Sequence, residues 1–289
     1  MTPPYNSTHD KEYPMIEILK AILFGIVEGI TEWLPVSSTG HIILLDEFIK
    51  LKFTSENFGE MFDVVIQLGA ILAVIVLFFH KLNPFAPGKS AGEKKQTWHL
   101  WFKVCVAIIP SGVLGVLFDD WMTDHLHKGI PVAIALIVYG IAFILVERRN
   151  TGKTLKCDDV HAIDYKTALL IGAFQCLSLI PGTSRSGSTI LGAILLGVGR
   201  AAGAEFSFFM AIPTMLGASA IKGLDFLLSG AAASGRDIAV LVVGCVVSFI
   251  VSLLVIRGLM EYVRRHSFSA FGVYRILLGA VVLGYFLLT

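Results

Sequence analysis

The sequence predicts an all-α polytopic membrane protein, with about six transmembrane helices plus two re-entrant helix–loop–helix segments in an inverted-topology repeat. Three observations predict it. The 289 residues are 55% hydrophobic and only 16% charged, with a mean hydropathy of +0.76, whereas a soluble domain carries charge on about a quarter of its residues. Apolar runs recur at 61–80, 99–118, 130–147, 205–224, 237–257 and 271–288, each near the ~20 residues a helix needs to cross ~30 Å of hydrocarbon. Two short polar segments interrupt otherwise apolar stretches, and they read as copies of each other.

Taken in order, residues 1–14 form a polar extension and residues 15–289 a single integral membrane domain, with repeat 1 at about 15–147 and repeat 2 at about 166–289. The apolar stretch after Lys20 is not a signal peptide, because Glu28 and Glu32 interrupt it and no small-residue cleavage site follows. The first polar segment, about 16–50, runs from Gly25 through Glu28, Glu32 and Pro35 to Ser37-Ser38-Thr39-Gly40-His41. The second, about 166–203, runs from Gly172 through Gln175 and Pro181 to Thr183-Ser184-Arg185-Ser186-Gly187 and Thr189. Counted from the leading glycine, Glu28 matches Gln175, Ser37 matches Ser184 and Gly40 matches Gly187.

Charge orients the spans. The loops at 81–98, 148–166 and 257–266 are rich in Lys and Arg, while 119–129 and 225–236 each hold one. The positive-inside rule places the first three in the cytoplasm. The first polar segment then enters and leaves from the outer side, and the second from the cytoplasm. Three spans separate them, an odd number, which inverts the second copy relative to the first. Irregular backbone at bilayer depth is tolerated only where protein or a wet cavity covers it, and broken helices at matching places in two inverted halves point to a binding site. The net charge of +1 says little about partners, since the charges are sorted between loops; no nucleic-acid partner is expected. Cys105, Cys157, Cys176 and Cys245 have no metal-site or disulfide spacing and read as small hydrophobes.

The two polar segments carry the chemistry, because ionisable groups inside a membrane segment are costly and mark function. Glu28 and Glu32 lie four apart on one helix face. Paired carboxylates in an apolar setting repel unless a proton or cation intervenes, and they suit a hard divalent ion, Mg²⁺ or Ca²⁺, that completes its shell with phosphate and water. Pro35 ends that helix, and Ser37-Ser38-Thr39-Gly40 opens the next with hydroxyls and free N–H groups, an anion site. The second loop adds Arg185, whose planar fork matches two phosphate oxygens. His41 follows Ser38 by three residues, so the two share a helix face; the pairing suggests an activated nucleophile or a proton shuttle. Phosphoryl transfer needs this set of parts, since its catalysis is mostly positioning and charge neutralisation.

Glu28-x-x-x-Glu32, then Pro35-x-Ser-Ser-Thr-Gly-His41, then Pro181-Gly-x-Ser-Arg-Ser-x-x-Thr189 resemble the signatures of the undecaprenyl-diphosphate phosphatase (bacitracin-resistance) family. The similarity extends over nearly the whole chain after residue ~14, including Ile66-Gln67-Leu68-Gly69 and Ala204-Glu205-Phe206-Ser207-Phe208; the longer polar N-terminus departs from it. The resemblance implies hydrolysis of a C55 isoprenoid diphosphate to its monophosphate, recycling the lipid carrier of cell-wall synthesis and conferring bacitracin resistance. It implies a bacterial plasma (inner) membrane location, a site opening toward the outer, periplasmic side, and a divalent cation, Mg²⁺ or Ca²⁺. By motif position, Glu28 and Glu32 serve the metal or proton transfer, and Arg185 holds the diphosphate. Ser38 is the favoured nucleophile, with His41 as base or as the alternative nucleophile. Ser37, Thr39, Ser184, Ser186 and Thr189 support phosphate binding.

The rival reading is an isoprenoid-lipid flippase or secondary transporter, since inverted repeats with broken helices also build transporters. A flippase needs neither a nucleophile nor a metal-binding pair. Small-residue faces such as Gly192-Ala193 and Gly217-Ala218 allow close helix packing, within the chain or across a homodimer.

Overall fold

The computed structural model describes residues 9–126 and 128–288. Residues 1–8 of the polar extension lie outside the described residues, and α1 (His9–Thr31) already begins within the remainder of it. There follow α2 (Ser38–Phe48), α3 (Glu56–Val65), α4 (Gln67–Leu77), the single turn α5 (Phe79–Leu82), α6 (Ala91–Leu126) and α7 (Gly129–Asn150). The second half holds α8 (Tyr165–Gln175), a 3₁₀ turn (Cys176–Leu179), α9 (Arg185–Leu195), α10 (Arg200–Leu228), α11 (Gly235–Arg265) and α12 (Ser269–Leu288). Among the described residues the only β-type pairing is an isolated bridge between Cys157 and Val198.

Among the described residues, six helices are long and apolar enough to cross a membrane: Glu56–Leu77, Ala91–Phe118, Gly129–Asn150, Arg200–Leu228, Gly235–Arg265 and Ser269–Leu288. They contain or closely overlap the six apolar runs of the sequence. Their outward faces are apolar and exposed, as at Leu254, Leu277 and Val281, which suits a hydrocarbon solvent and not water. Pro110 and Pro213 sit inside α6 and α10. Membrane helices tolerate such breaks when neighbours re-satisfy the freed backbone groups.

Local chemistry sets the helix starts. Ser55 accepts from Phe58 N–H, Asp164 accepts from Thr167 N–H, and Ser234 with Asp237 forms a reciprocal capping box. The Asp164 cap fixes α8 at 11 residues, whereas α1 runs on for 23. The two polar segments therefore differ in the length of their first helix.

The two leading glycines have equivalent tasks. α1 packs along α11 and α8 along α6. A Cβ on Gly25 would lie 2.7 Å from the Gly244 carbonyl oxygen, and one on Gly172 would run into the carbonyl of Ala107. Each glycine thus lets two helix backbones touch, the small-residue packing expected inside membranes. α9 is buried continuously over 186–194 and α10 over 202–212, so these two helices form the centre of the bundle with Phe206, Phe208 and Phe209.

Replacing Gly172 by Leu is expected to lower the unfolding midpoint of the detergent-solubilised protein by several degrees, the scale of an overpacked core at ~1–3 kcal/mol. Gly217, where an added Cβ meets nothing within 4 Å, is the control and should accept Leu without change. Equal midpoints for the two variants would contradict the close approach of α8 to α6.

Candidate active site

Both polar loops turn in the same unusual way. Among the described residues only two that are not glycine have positive φ, Ser37 at 76° and Ser184 at 74°. Each is an N-cap: Ser37 Oγ accepts from Gly40 N–H at 3.2 Å, and Ser184 Oγ accepts from Gly187 N–H at 3.0 Å. A left-handed residue with a Cβ costs ~1–3 kcal/mol and persists only where its surroundings over-determine it. Here the surroundings are the capping bonds and the opposite loop.

The loops meet each other. Ser186 Oγ donates to the Glu32 carbonyl at 3.0 Å, tying the start of α9 to the end of α1. Arg185 Nη2 donates to Glu32 Oε1 at 3.1 Å, and Nη1 donates to the Ser207 carbonyl at 2.9 Å. The guanidinium also lies 6.0 Å from the Trp33 ring centroid, within cation–π range. Trp33 is fully buried and meets Phe208 edge-on. Arg185 is thus aimed by α10, by Trp33 and by Glu32 together.

Glu32 has a second partner. Ser38 Oγ donates to Glu32 Oε2 at 2.6 Å, inside the range of a charge-assisted O–H···O⁻ bond. One carboxylate therefore stands between the serine hydroxyl and the arginine fork, and Glu32 and Ser38 are both buried. Glu28, one turn earlier on α1, is 1% exposed, and its Oε1 has no hydrogen-bond partner. A buried carboxylate oxygen without a donor is costly and suits a cation. Among the described residues no three or more His, Cys, Asp or Glu are placed to hold a metal ion together, so they form no closed cage. The donor set fits an ion that takes one or two carboxylates and draws its other ligands from phosphate and water.

His41 hydrogen-bonds to other groups than Ser38. Its Nδ1 lies 2.7 Å from the Ser37 carbonyl and its Nε2 lies 2.7 Å from the Tyr274 hydroxyl. A carbonyl only accepts, so Nδ1 carries a proton, and Nε2 shares a hydrogen bond with the Tyr274 hydroxyl. The imidazole also stacks on the Tyr274 ring with an interplanar angle of 1°. Both ring nitrogens are engaged, and the carboxylate of Glu32 occupies the place at Ser38 that the sequence offered to His41. The helix-face spacing did not include the returning end of α1, which brings Glu32 rather than His41 within hydrogen-bond distance of Ser38.

The other hydroxyls hold the loops. Thr189 is fully buried and bonds to Ser207 Oγ at 2.6 Å and to the Arg185 carbonyl at 3.0 Å, pinning α9 to α10. Thr183 Oγ1 donates back to the Leu177 and Ile180 carbonyls. Thr39 is half-buried at the start of α2. Gln175, the counterpart of Glu28, donates from Nε2 to Ser111 Oγ at 2.6 Å, so the second segment has an amide where the first has a carboxylate.

One residue escaped the sequence reading. Arg275 of α12 is 0% exposed, donating from Nη1 to the Pro35 carbonyl at 3.1 Å and from Nη2 to the Gly182 carbonyl at 2.7 Å. It clamps the backbone of both polar loops at once, with its guanidinium 5.6 Å from the Tyr139 ring centroid. The signal was available: an arginine in the apolar run 271–288 is the kind of intramembrane charge that calls for a named partner.

A polytopic α-helical membrane protein with a buried serine–carboxylate–arginine centre between two capped loops is the class that fold and site define. The chain belongs to the bacitracin resistance protein BacA family, whose profile matches residues 21–281. It is 55% identical to the undecaprenyl-diphosphatase of Enterococcus faecalis, over 93% of this chain and 97% of that one. It is 56% identical to the undecaprenyl-diphosphatase of Limosilactobacillus fermentum over 95% and 99% of the two chains, and 55% identical to that of Lactiplantibacillus plantarum over the same shares.

Removing the clamp by Arg275→Gln leaves two buried carbonyls short of a donor, at ~1–3 kcal/mol each. Hydrogen exchange is expected to quicken by at least about tenfold at the capping amides of both Gly40 and Gly187, since local opening follows local stability. Acceleration in one loop alone would show that Arg275 does not couple them.

Proposed function

We propose that this chain is an integral membrane hydrolase, an undecaprenyl-diphosphatase. It cleaves undecaprenyl diphosphate to undecaprenyl phosphate and inorganic phosphate, which returns the lipid carrier to peptidoglycan synthesis and underlies bacitracin resistance. The observation that carries the reading is the 2.6 Å bond from Ser38 Oγ to Glu32 Oε2, beside the 3.1 Å contact of Glu32 with Arg185.

Ser38 Oγ attacks the terminal phosphorus as its proton passes to Glu32. The bond from phosphorus to the bridging oxygen breaks, and undecaprenyl phosphate leaves, already a good leaving group that needs no strong acid. Glu32 passes the serine proton to the departing undecaprenyl phosphate. Water then attacks the phosphoseryl phosphorus as Glu32 takes the water proton and hands it to Ser38 Oγ, so that inorganic phosphate leaves and the hydroxyl is restored. In the resting site Arg185 neutralises Glu32. An incoming diphosphate competes for the guanidinium fork, and the carboxylate it releases becomes free to accept the serine proton. The N–H groups at the starts of α2 and α9, ordered by Ser37 and Ser184, face the incoming charge, and preorganised donors of this kind contribute ~3 kcal/mol each.

Glu28 and Glu32 would hold a divalent cation, Mg²⁺ or Ca²⁺, and the unpartnered Oε1 of Glu28 supports this assignment. When bound, such an ion supplies charge neutralisation of the phosphate groups. The site lies in the bacterial plasma membrane and opens to the outer side, a reading supported by the Lys/Arg asymmetry of the loops. The two polar segments are read as re-entrant and antiparallel on the same ground, and their shared capping geometry is consistent with it. The Gly192 face is used inside the chain, against Phe174, whereas the Gly217 face is open to a second copy.

Ser38→Ala should reduce phosphate release from a C55 diphosphate by several orders of magnitude with little change in substrate affinity, since the lost group acts mainly in the transition state. Arg185→Lys should rescue Arg185→Ala poorly, because a point charge cannot replace the bidentate fork. Retention of a tenth of wild-type turnover by Ser38→Ala would replace the covalent path with direct attack by water. Turnover that survives exhaustive chelation would remove the cation.

Orientation has its own test. Single cysteines on a Cys-free background should label from outside at position 232 and not at position 153. Outside labelling at 153 would place both polar loops on one side and end the antiparallel reading.

A further inference from the structure

α9 has two ends. Its N-terminus carries Arg185, and its C-terminus at Leu195, ~16 Å away at 1.5 Å per residue, borders a separate cavity of about 720 Å³. That volume falls in the range of small-molecule sites, ~300–1,000 Å³. The cavity lies where the ends of α7, α9 and α11 meet the loop 151–158, which Lys156 N–H and Gly199 N–H bind to the α9–α10 turn.

Its lining has two characters. Lys153, Lys156, Arg200 and Arg264 supply four cations against the two carboxylates of Glu147 and Asp158. Glu147 is already consumed: Arg200 grips it through Nε and Nη2, at 3.0 and 2.6 Å, and its Oε1 also accepts from Phe268 N–H at 2.9 Å. Lys156 is held by Asp164 and Thr167. Lys153 and Arg264 are exposed and have no carboxylate partner among the described residues. The opposite wall is apolar, formed by Ile194, Leu195 and Val263, and Leu195 is 37% exposed, so that wall continues onto the outer surface of the bundle. A net positive hollow with fixed cations at its back, free cations at its rim and an apolar wall matches the chemistry of a phosphate headgroup attached to a hydrocarbon chain.

We propose that this cavity is a second binding site, which takes the phosphate headgroup of an anionic amphiphile and is separate from the Ser38–Glu32–Arg185 centre. Two sources share that chemistry, an anionic membrane phospholipid and a polyprenyl monophosphate. The site does not depend on the reaction assigned above. Glu147 and Arg200 shape it without binding directly through their shared bond, and Lys153 and Arg264 are the contacts that a ligand completes.

Native mass spectrometry of the delipidated protein in detergent tests this, with Arg185→Ala as background to disable the central site. Dioleoylphosphatidylglycerol, farnesyl monophosphate and inorganic phosphate are the probes, and phosphatidylcholine is the control. Saturable binding of one amphiphile per chain is expected, weakened by at least about tenfold when Lys153→Gln and Arg264→Gln remove two cations, and retained in Lys153→Arg with Arg264→Lys. The preferred probe identifies the source, and displacement by inorganic phosphate shows that the headgroup suffices. Binding that ignores the loss of both cations, or no saturable binding in the Arg185→Ala protein, overturns the proposal. The charge-removed variants without Arg185→Ala are assayed in parallel for phosphate release, so a failed phosphatase assignment shows separately from a failed second site.

Discussion

A single buried carboxylate organises the centre of this molecule. Glu32 receives the Ser38 hydroxyl on one oxygen and the Arg185 fork on the other, while its backbone carbonyl accepts from Ser186. Remove Arg185 and the carboxylate is left buried without its charge partner, which costs several kcal/mol; remove a serine and a buried acceptor loses its donor. The constraint explains why two chain segments more than 140 residues apart arrive at one point. It also explains why hydroxyls cluster here: loops enclosed by packed helices have little access to water, so their carbonyls and amides must find donors and acceptors in the protein.

The scaffold supports that node from outside. Arg275 holds the carbonyls that flank each loop, Thr189 and Ser207 lock α9 to α10, and glycines at matching places in α1 and α8 let their helices lie flat on α11 and α6. A site made of two loops would otherwise be the softest part of the bundle. Here it is among the most enclosed, since Ser37, Ser38, Ser186 and Glu32 are all buried. Preorganisation of this kind suits phosphoryl transfer, where positioning is most of the catalysis.

Much of this was legible in the residues. The six apolar runs gave the six long helices, because length and hydropathy suffice once the solvent is hydrocarbon. Ser37 and Ser184 were readable as equivalent helix starts, and Arg185 as a planar fork suited to phosphate oxygens, though its reach to Glu32 of the first loop was not. What could not be read was which acidic or basic group would reach Ser38. Spacing along α2 favoured His41, three residues away, but the 32–37 turn folds α1's last carboxylate back over the start of α2, and no periodicity reports such a return. Arg275 was hidden for a different reason. Its partners are backbone carbonyls, which are present at every residue and leave no mark in a sequence.

The left-handed serines set a narrow chemical alphabet at two positions. Glycine would accept the 76° and 74° backbone freely but would bring no oxygen to the amides of Gly40 and Gly187. Threonine would bring the oxygen but, being β-branched, resists positive φ. Asparagine tolerates that backbone and carries an acceptor, yet it is bulkier than the enclosed space around Ser37, which is 1% exposed. Geometry, polarity and volume thus converge on serine at Ser37, and geometry and polarity do so at the half-buried Ser184.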